Sequence, residues 1–172
     1  MKIVINDANI LIDLVQLKLL KQFSELPFEL YTTDVVYDEI HVEQKETLDL
    51  LQQKGILNII EIEESSDDYQ GIFNLLSKSR GLSFEDCTVW FYSKKMEGTL
   101  LTGDGQLRKC ATKDKVEVRG IIYIFDELVK NDIIDLKIAI IKIKELESLN
   151  IRLPKKEINK RVANWQRMLN AE

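Results

Sequence analysis

Two aspartates stand at equivalent places in this 172-residue chain. Asp7 follows Lys2-Ile-Val-Ile-Asn6, and Asp104 follows Thr99-Leu-Leu-Thr-Gly103. In both places a short apolar or β-branched run leads to a carboxylate, and a helix-like segment comes next. Strands that deliver acids from their C-terminal ends build the crevice of an open α/β sheet. Carboxylates gathered there are hard oxygen donors for a divalent cation, and a cation so held does chemistry on phosphates. An Asp just before a helix is also a cap, stabilising it by about 1 kcal/mol. Either residue alone is explained by capping, so the chemistry rests on a set.

Two further acids complete that set. In Val35-Val36-Tyr37-Asp38-Glu39-Ile40, residues spaced about 100° apart place Val35, Val36 and Ile40 on one helical face, with Glu39 within it and Asp38 outside. A carboxylate on an apolar face needs a partner, either a neighbouring side chain or a cation. In Leu82-Ser83-Phe84-Glu85-Asp86, Ser83 and Asp86 have the spacing of a capping box. Asp86 also shares a stripe with Val89, Trp90 and Ser93, which turns it inward, whereas Glu85 points to the side.

The elements that must position these acids alternate. Short strands are predicted at Lys2–Asn6, Phe28–Thr32, Leu57–Ile62, Thr99–Thr102 and Val116–Val118, separated by helical-length segments. That pattern reads as a central five-stranded parallel sheet in a three-layer α/β/α arrangement. Ala8–Leu20, with Ile10, Leu11, Leu14, Leu17 and Leu20, reads as one amphipathic helix. A short helical stretch, Gln106–Ala111, follows Asp104. Beyond Arg119 the pattern becomes helical, at Ile121–Asn131, Leu136–Leu149 and Lys155–Leu169, the last announced by Pro154.

The apolar fraction of 45% and charged fraction of 31% are those of a soluble globular protein of one domain. No apolar run approaches the roughly 20 residues of a membrane span, and the chain starts on a strand rather than a signal peptide. Cys87 and Cys110 form no metal or redox motif and fit a reducing cytoplasm as ordinary, partly buried residues. A single histidine, His41, excludes a His-pair ribonuclease and argues against a serine triad and a zinc site; it is expected at the surface. Neither a Walker loop nor a dinucleotide fingerprint is present. A phosphatase with Asp7 as nucleophile would want a second Asp where Asn9 stands. Residues 1–106 hold 9 Lys/Arg against 19 Asp/Glu, and residues 107–172 hold 15 against 10. The acidic balance argues against sequence-blind nucleic-acid binding over the whole surface, but not against a strand held locally by metal and a basic flank.

The four acid motifs, taken in order, resemble those of the PIN-domain nucleases, especially the prokaryotic VapC-type toxins. The matching residues are Asp7-Ala-Asn9-Ile-Leu-Ile-Asp13, then Val35-Val36-Tyr-Asp-Glu39-Ile40, Leu82-Ser-Phe-Glu-Asp86 and Leu100-Leu-Thr102-Gly-Asp104-Gly-Gln-Leu107. The resemblance covers about residues 1–125. It implies neighbouring first and fourth strands, with Asp7 facing Asp104 across the switch point. It further implies a Mg²⁺- or Mn²⁺-dependent endoribonuclease acting on single-stranded RNA, with Asp7, Glu39, Asp86 and Asp104 as metal-binding catalytic acids. Asn9 and Thr102 would orient them, a role that turn and cap hydrogen bonding fills equally well. Asp13 lies nearly two helical turns from Asp7 and falls outside the set. The alternative is a non-catalytic PIN-like module that binds RNA or protein.

The expected organisation is a PIN-like nuclease domain over 1–125, with helices 126–172 packed on it as a C-terminal extension. That extension exceeds the minimal toxin form. Its stripe of Leu136, Ile140, Ile143, Leu146 and Leu149 must be covered by the body, by an antitoxin or by a second copy. Lys155, Lys156, Lys160, Arg161 and Arg167 form either a solvated face or a guide for RNA.

Overall fold

The computed structural model describes residues 1–172. Five strands, β1 (Lys2–Asn6), β2 (Phe28–Thr33), β3 (Leu57–Ile60), β4 (Thr99–Leu101) and β5 (Val118–Arg119), form one sheet in the order β3-β2-β1-β4-β5. Every pairing is parallel. The central strands read as continuous apolar runs because helices cover both faces of the sheet; Val4, Ile5, Leu100 and Leu101 are fully buried. Ten helices connect or follow the strands: α1 (Ala8–Gln16), α2 (Leu20–Ser24), α3 (Asp34–Asp38), α4 (Val42–Gln53), α5 (Asp67–Lys78), α6 (Phe84–Lys95), α7 (Gly105–Lys113), α8 (Ile121–Lys130), α9 (Leu136–Leu149) and α10 (Lys155–Ala171). On one face α6 lies against β1, β2 and β4, with α3, α5 and α7 beside it, while α1, α2, α8 and α9 pack in succession on one another. This is the expected three-layer α/β/α architecture, with additional C-terminal helices.

The register fixes the site. Val4 pairs with Thr99, Ile5 with Leu100 and Asn6 with Leu101, so the next residue of each chain, Asp7 and Thr102, emerges side by side. The Asp7 N–H donates to Leu101 O at 2.9 Å, extending the ladder by one step. Sheet order reverses between β1 and β4, which makes this the topological switch point.

Several local expectations shift. The helix expected over Ala8–Leu20 is broken: Lys18 takes a φ of 57° and the Leu19 N–H turns back to Leu14 O at 3.0 Å. Leu17, Leu19 and Leu20 are all buried, and at about 100° per residue one helix could not have turned all three to the core. The third strand stops at Ile60, and Ile62 instead donates its N–H to Asp34 Oδ2 at 3.1 Å. The fifth strand is displaced onto Val118–Arg119, where it pairs with Leu100 and Leu101.

The C-terminal helices share the core of the sheet. Ile121, Ile124, Phe125 and Leu128 form the buried stripe of α8; Ala139, Ile143 and Leu146 that of α9; Ile158 and Trp165 that of α10. One hydrophobic cluster runs from Val4 to Trp165, and the boundary expected after residue 125 falls inside α8. Leu149, expected on the covered side of α9, is exposed at its end. Arg161 is not a free cation: it bonds both Asp126 oxygens at 3.3 and 3.0 Å and Glu157 at 2.6 Å, tying α10 to α8.

Candidate functional site

Asp7 is the N-cap of α1 and is 6% exposed. Its Oδ1 accepts the Ala8 N–H at 2.8 Å and its Oδ2 accepts the Thr102 hydroxyl at 2.7 Å. That same Thr102 oxygen accepts the Asp104 N–H at 3.0 Å. A relay therefore runs from the Asp104 backbone through Thr102 to the Asp7 carboxylate and locks the two acidic loops together. Asp104 caps α7 in turn, with Oδ1 on the Leu107 N–H at 2.7 Å. The capping functions expected for both aspartates are real, and they leave Asp104 Oδ2 without a hydrogen-bond partner. Asn9 is exposed and accepts the Gly103 N–H at 3.3 Å, bracing the loop that carries Asp104.

Ser83 and Asp86 form a complete capping box at the start of α6. Asp86 Oδ2 accepts the Ser83 N–H at 2.9 Å, and Oδ1 is left without a protein partner. The stripe below it is buried as expected, at Val89, Trp90 and Ser93. Glu39 departs from expectation. It is the C-cap of α3 and is exposed, because the buried face consists of Val36, Tyr37 and Ile40 and is centred one residue later than the pattern implied. Even so, Glu85, Asp7 and Asp86 are near enough for their charge to act on it. His41 is exposed, as expected.

The electrostatics show which acids the fold brings together. Burial pushes the Asp7 carboxyl up, the Thr102 hydroxyl draws it down, Asp86 raises it, the Ala8 N–H lowers it and Asp104 raises it again, to about 6. Glu39 is also raised, first by what burial it has and then by Glu85, Asp7 and Asp86 in that order. Asp7, at the end of β1, thus feels both Asp86 at the start of α6 and Asp104 beyond β4, and Glu39 at the end of α3 feels Asp7, Glu85 and Asp86. The Asp13 carboxyl is raised by burial, which the Asn150 side chain partly offsets, and none of the other acids is among the causes. The cleft acids do not close on a shared point: as the side chains stand, no group of three or more Asp, Glu, His or Cys residues is arranged to hold a metal ion.

Sequence reasoning missed two features. Glu85, set aside as pointing sideways, is the strongest carboxylate neighbour of Glu39; its position next to Asp86 was the available signal. The second is a buried hydroxyl pair, with Thr33 Oγ1 and Thr88 Oγ1 2.8 Å apart. Thr88 donates to Glu85 O at 2.7 Å, so the proton between the hydroxyls belongs to Thr33, which accepts the Val36 N–H at 3.4 Å. This chain joins the cap of α3 to the first turns of α6 and thereby sets Glu39 against Glu85 and Asp86. Nothing in the local sequence marks it, since the partners are 55 residues apart.

With this geometry established, a family profile described as PIN domain matches residues 3–167. The chain belongs to the PIN-domain family. The match extends through the C-terminal helices, beyond the 1–125 covered by the four motifs, so α8, α9 and most of α10 are part of what this PIN-domain family shares. No curated protein matches the chain. No helix of this PIN-domain protein is long and apolar enough to cross a membrane.

Proposed function

We propose that this PIN-domain protein is a divalent-metal-dependent endoribonuclease that cleaves phosphodiesters of single-stranded RNA at the acid cleft. One observation carries the reading: the buried Asp7 and the exposed Glu39 each feel the charge of Asp86, and Asp7 also feels Asp104, across the switch point of the sheet. A buried carboxylate crowded by like charges is costly, and a cation offsets that cost. The donors are all carboxylate oxygens, which suits Mg²⁺ or Mn²⁺, and Asp86 Oδ1 and Asp104 Oδ2 are free to serve. Asp7, Glu39, Asp86 and Asp104 would hold the ion, which when bound supplies a Lewis acid for the phosphodiester and an acidified water. Thr102 keeps one Asp7 oxygen oriented and ties its loop to that of Asp104. Asn9 steadies Gly103, and the Thr33–Thr88 pair holds the two remaining acids at their separation.

A second reading, a non-catalytic module that binds RNA or protein, is favoured by the absence of three acids arranged around one point. Labelled single-stranded RNA incubated with Mg²⁺ or Mn²⁺ separates the two. Cleavage abolished by EDTA and by Asp7→Asn supports the nuclease, whereas RNA left intact across several sequences supports the module. The VapC-like motifs extend the proposal to a toxin held by an antitoxin; induced expression should arrest growth, and Asp7→Asn should relieve the arrest. A homodimer, the other partner proposed, is checked by the solution mass. We also propose that helices 126–172 pack on the 1–125 nuclease domain as one unit; a single cooperative unfolding transition of the whole chain would support it.

A further inference from the structure

A cavity of about 740 Å³ opens beside the acid cleft and shares Asn9, Thr102 and Asp104 with it. Its size lies in the roughly 300–1,000 Å³ range of ligand pockets. The far wall is made by Arg108 of α7, by the start of α8 and by the loop between α9 and α10, which contributes Arg152. None of the structure's ion pairs involves Arg108 or Arg152. Arg108 is partly buried and spends two of its five N–H donors on Val118 O at 3.3 Å and Thr102 O at 3.2 Å. A methyl group at Gly120 would come within 3.1 Å of its Nη2, so that glycine leaves the guanidinium its place.

The charge around this wall is uncompensated. Burial, and then the like charge of Arg119, lowers the Arg108 pKa. The α8 and α10 helices begin on the cavity, at Gly120 and Pro154, and neither N-cap supplies a side-chain acceptor. Their first-turn N–H groups add partial positive charge to that of the arginines. Two carboxylates also line the cavity: Asp13, whose charge the neighbouring Asn150 side chain favours, and Asp104, which stands at the cleft end. The cavity thus has Asp104 at its cleft end and Arg108, Arg152 and two helix starts on the wall away from it, with Asp13, beside Asn150, the one acid on that side.

We propose that the Arg108–Arg152 wall is a phosphate subsite for an RNA strand, holding the backbone phosphate next to the one placed over the acids. The subsite rests on the RNA reading above in its choice of ligand, but it does not require the cleft to be catalytic. It also gives the C-terminal helices a function, because the loop at residues 150–154 forms one side of the site.

The test is anisotropy of a labelled RNA of about eight nucleotides in EDTA, so that binding is read without turnover. Arg152 is exposed on a loop, which makes Arg152→Ala and Arg152→Glu safe for folding. Arg152→Ala should weaken binding about fivefold and make the salt dependence shallower by about 0.7 in log–log slope, with Arg152→Glu worse. Arg108→Lys keeps the charge but loses the fork and should fall between wild type and Arg152→Glu. A change in fold stability alone would not move the salt slope. Wild-type affinity and slope in both Arg152 variants would overturn the proposal, as would a wild-type protein that fails to bind the RNA. Displacement of the RNA by free mononucleotide at equal phosphate concentration would reassign the cavity to nucleotides and also overturn it. Binding through these arginines with no cleavage in Mn²⁺ leaves the subsite standing and removes the nuclease; cleavage with a KM indifferent to Arg152 does the reverse.

Discussion

Neutralising Asp7 should stabilise the metal-free protein. The carboxyl moves from 3.8 to about 6 on folding, so the native state binds its proton more tightly than the unfolded chain does. The cost of ionisation is therefore absent below about pH 4, grows between about pH 4 and 6, and is complete above. Two units at about 1.4 kcal/mol each set a ceiling of about 3 kcal/mol at pH 8. Asp7→Asn removes that cost and keeps an acceptor for the Ala8 N–H, but it takes the anionic acceptor from the Thr102 hydroxyl, a loss of about 1–2 kcal/mol. A net gain of about 1–2 kcal/mol remains, which for a chain of this length is a Tm rise of about 3–6 °C. Thermal unfolding in EDTA at pH 8 measures it, and the same pair compared at pH 4 should show the gain gone. Added Mn²⁺ should then raise the wild-type Tm and leave the variant behind. A variant less stable than wild type at pH 8, by the same margin at pH 4, would refute the idea that Asp7 is held charged against its surroundings.

Three further outcomes follow from the same geometry. Thr33→Val breaks the buried hydroxyl chain and takes the capping acceptor from the Val36 N–H, while Thr88 keeps its bond to Glu85 O, so it should cost about 1–3 kcal/mol in chemical denaturation; because α3 and α6 are joined there, any metal-dependent Tm shift should shrink with it. For Glu117, burial opposes ionisation, but bonds from Thr99, Lys2 and Arg119 outweigh it and hold the carboxyl down at about 2. Its contribution is present above about pH 4.5 and lost towards pH 2; with the side chain 43% exposed, Glu117→Gln should cost only about 1 kcal/mol at pH 7, a gap that closes on acidification. Trp165→Ala, at a 4% exposed position of α10, should cost about 3–5 kcal/mol by urea titration if α10 is integral to the core; near-neutral behaviour would mean that the last helix is dispensable.

What could be read along the chain was whatever depends on neighbours. Asp7 and Asp104 were legible because a strand-like run precedes each and a helix follows, and the Ser83–Asp86 spacing announced its own capping box. Glu39 was misplaced because its facing depends on where α3 stops and the chain turns, which is settled by how Tyr37 and Ile40 pack. Lys18 was similarly hidden: a leucine-rich run predicts a helix, and only the competition of Leu17, Leu19 and Leu20 for the same core breaks it. The Thr33–Thr88 pair and the partnership of Arg108 with the ends of β4 and β5 leave no local mark at all.

The order of residues alone determined the parallel α/β class, the strand-to-helix junctions and the acids placed on them, since periodicity and capping act over a few residues. Tertiary structure alone decided that β1 and β4 are neighbours, that Thr102 bridges Asp7 and Asp104, and that the tail helices close a cavity beside them. Those outcomes join residues as distant in the chain as Asn9 and Pro154, and the burial that makes Asp7 costly to ionise exists only once the layers have packed around it.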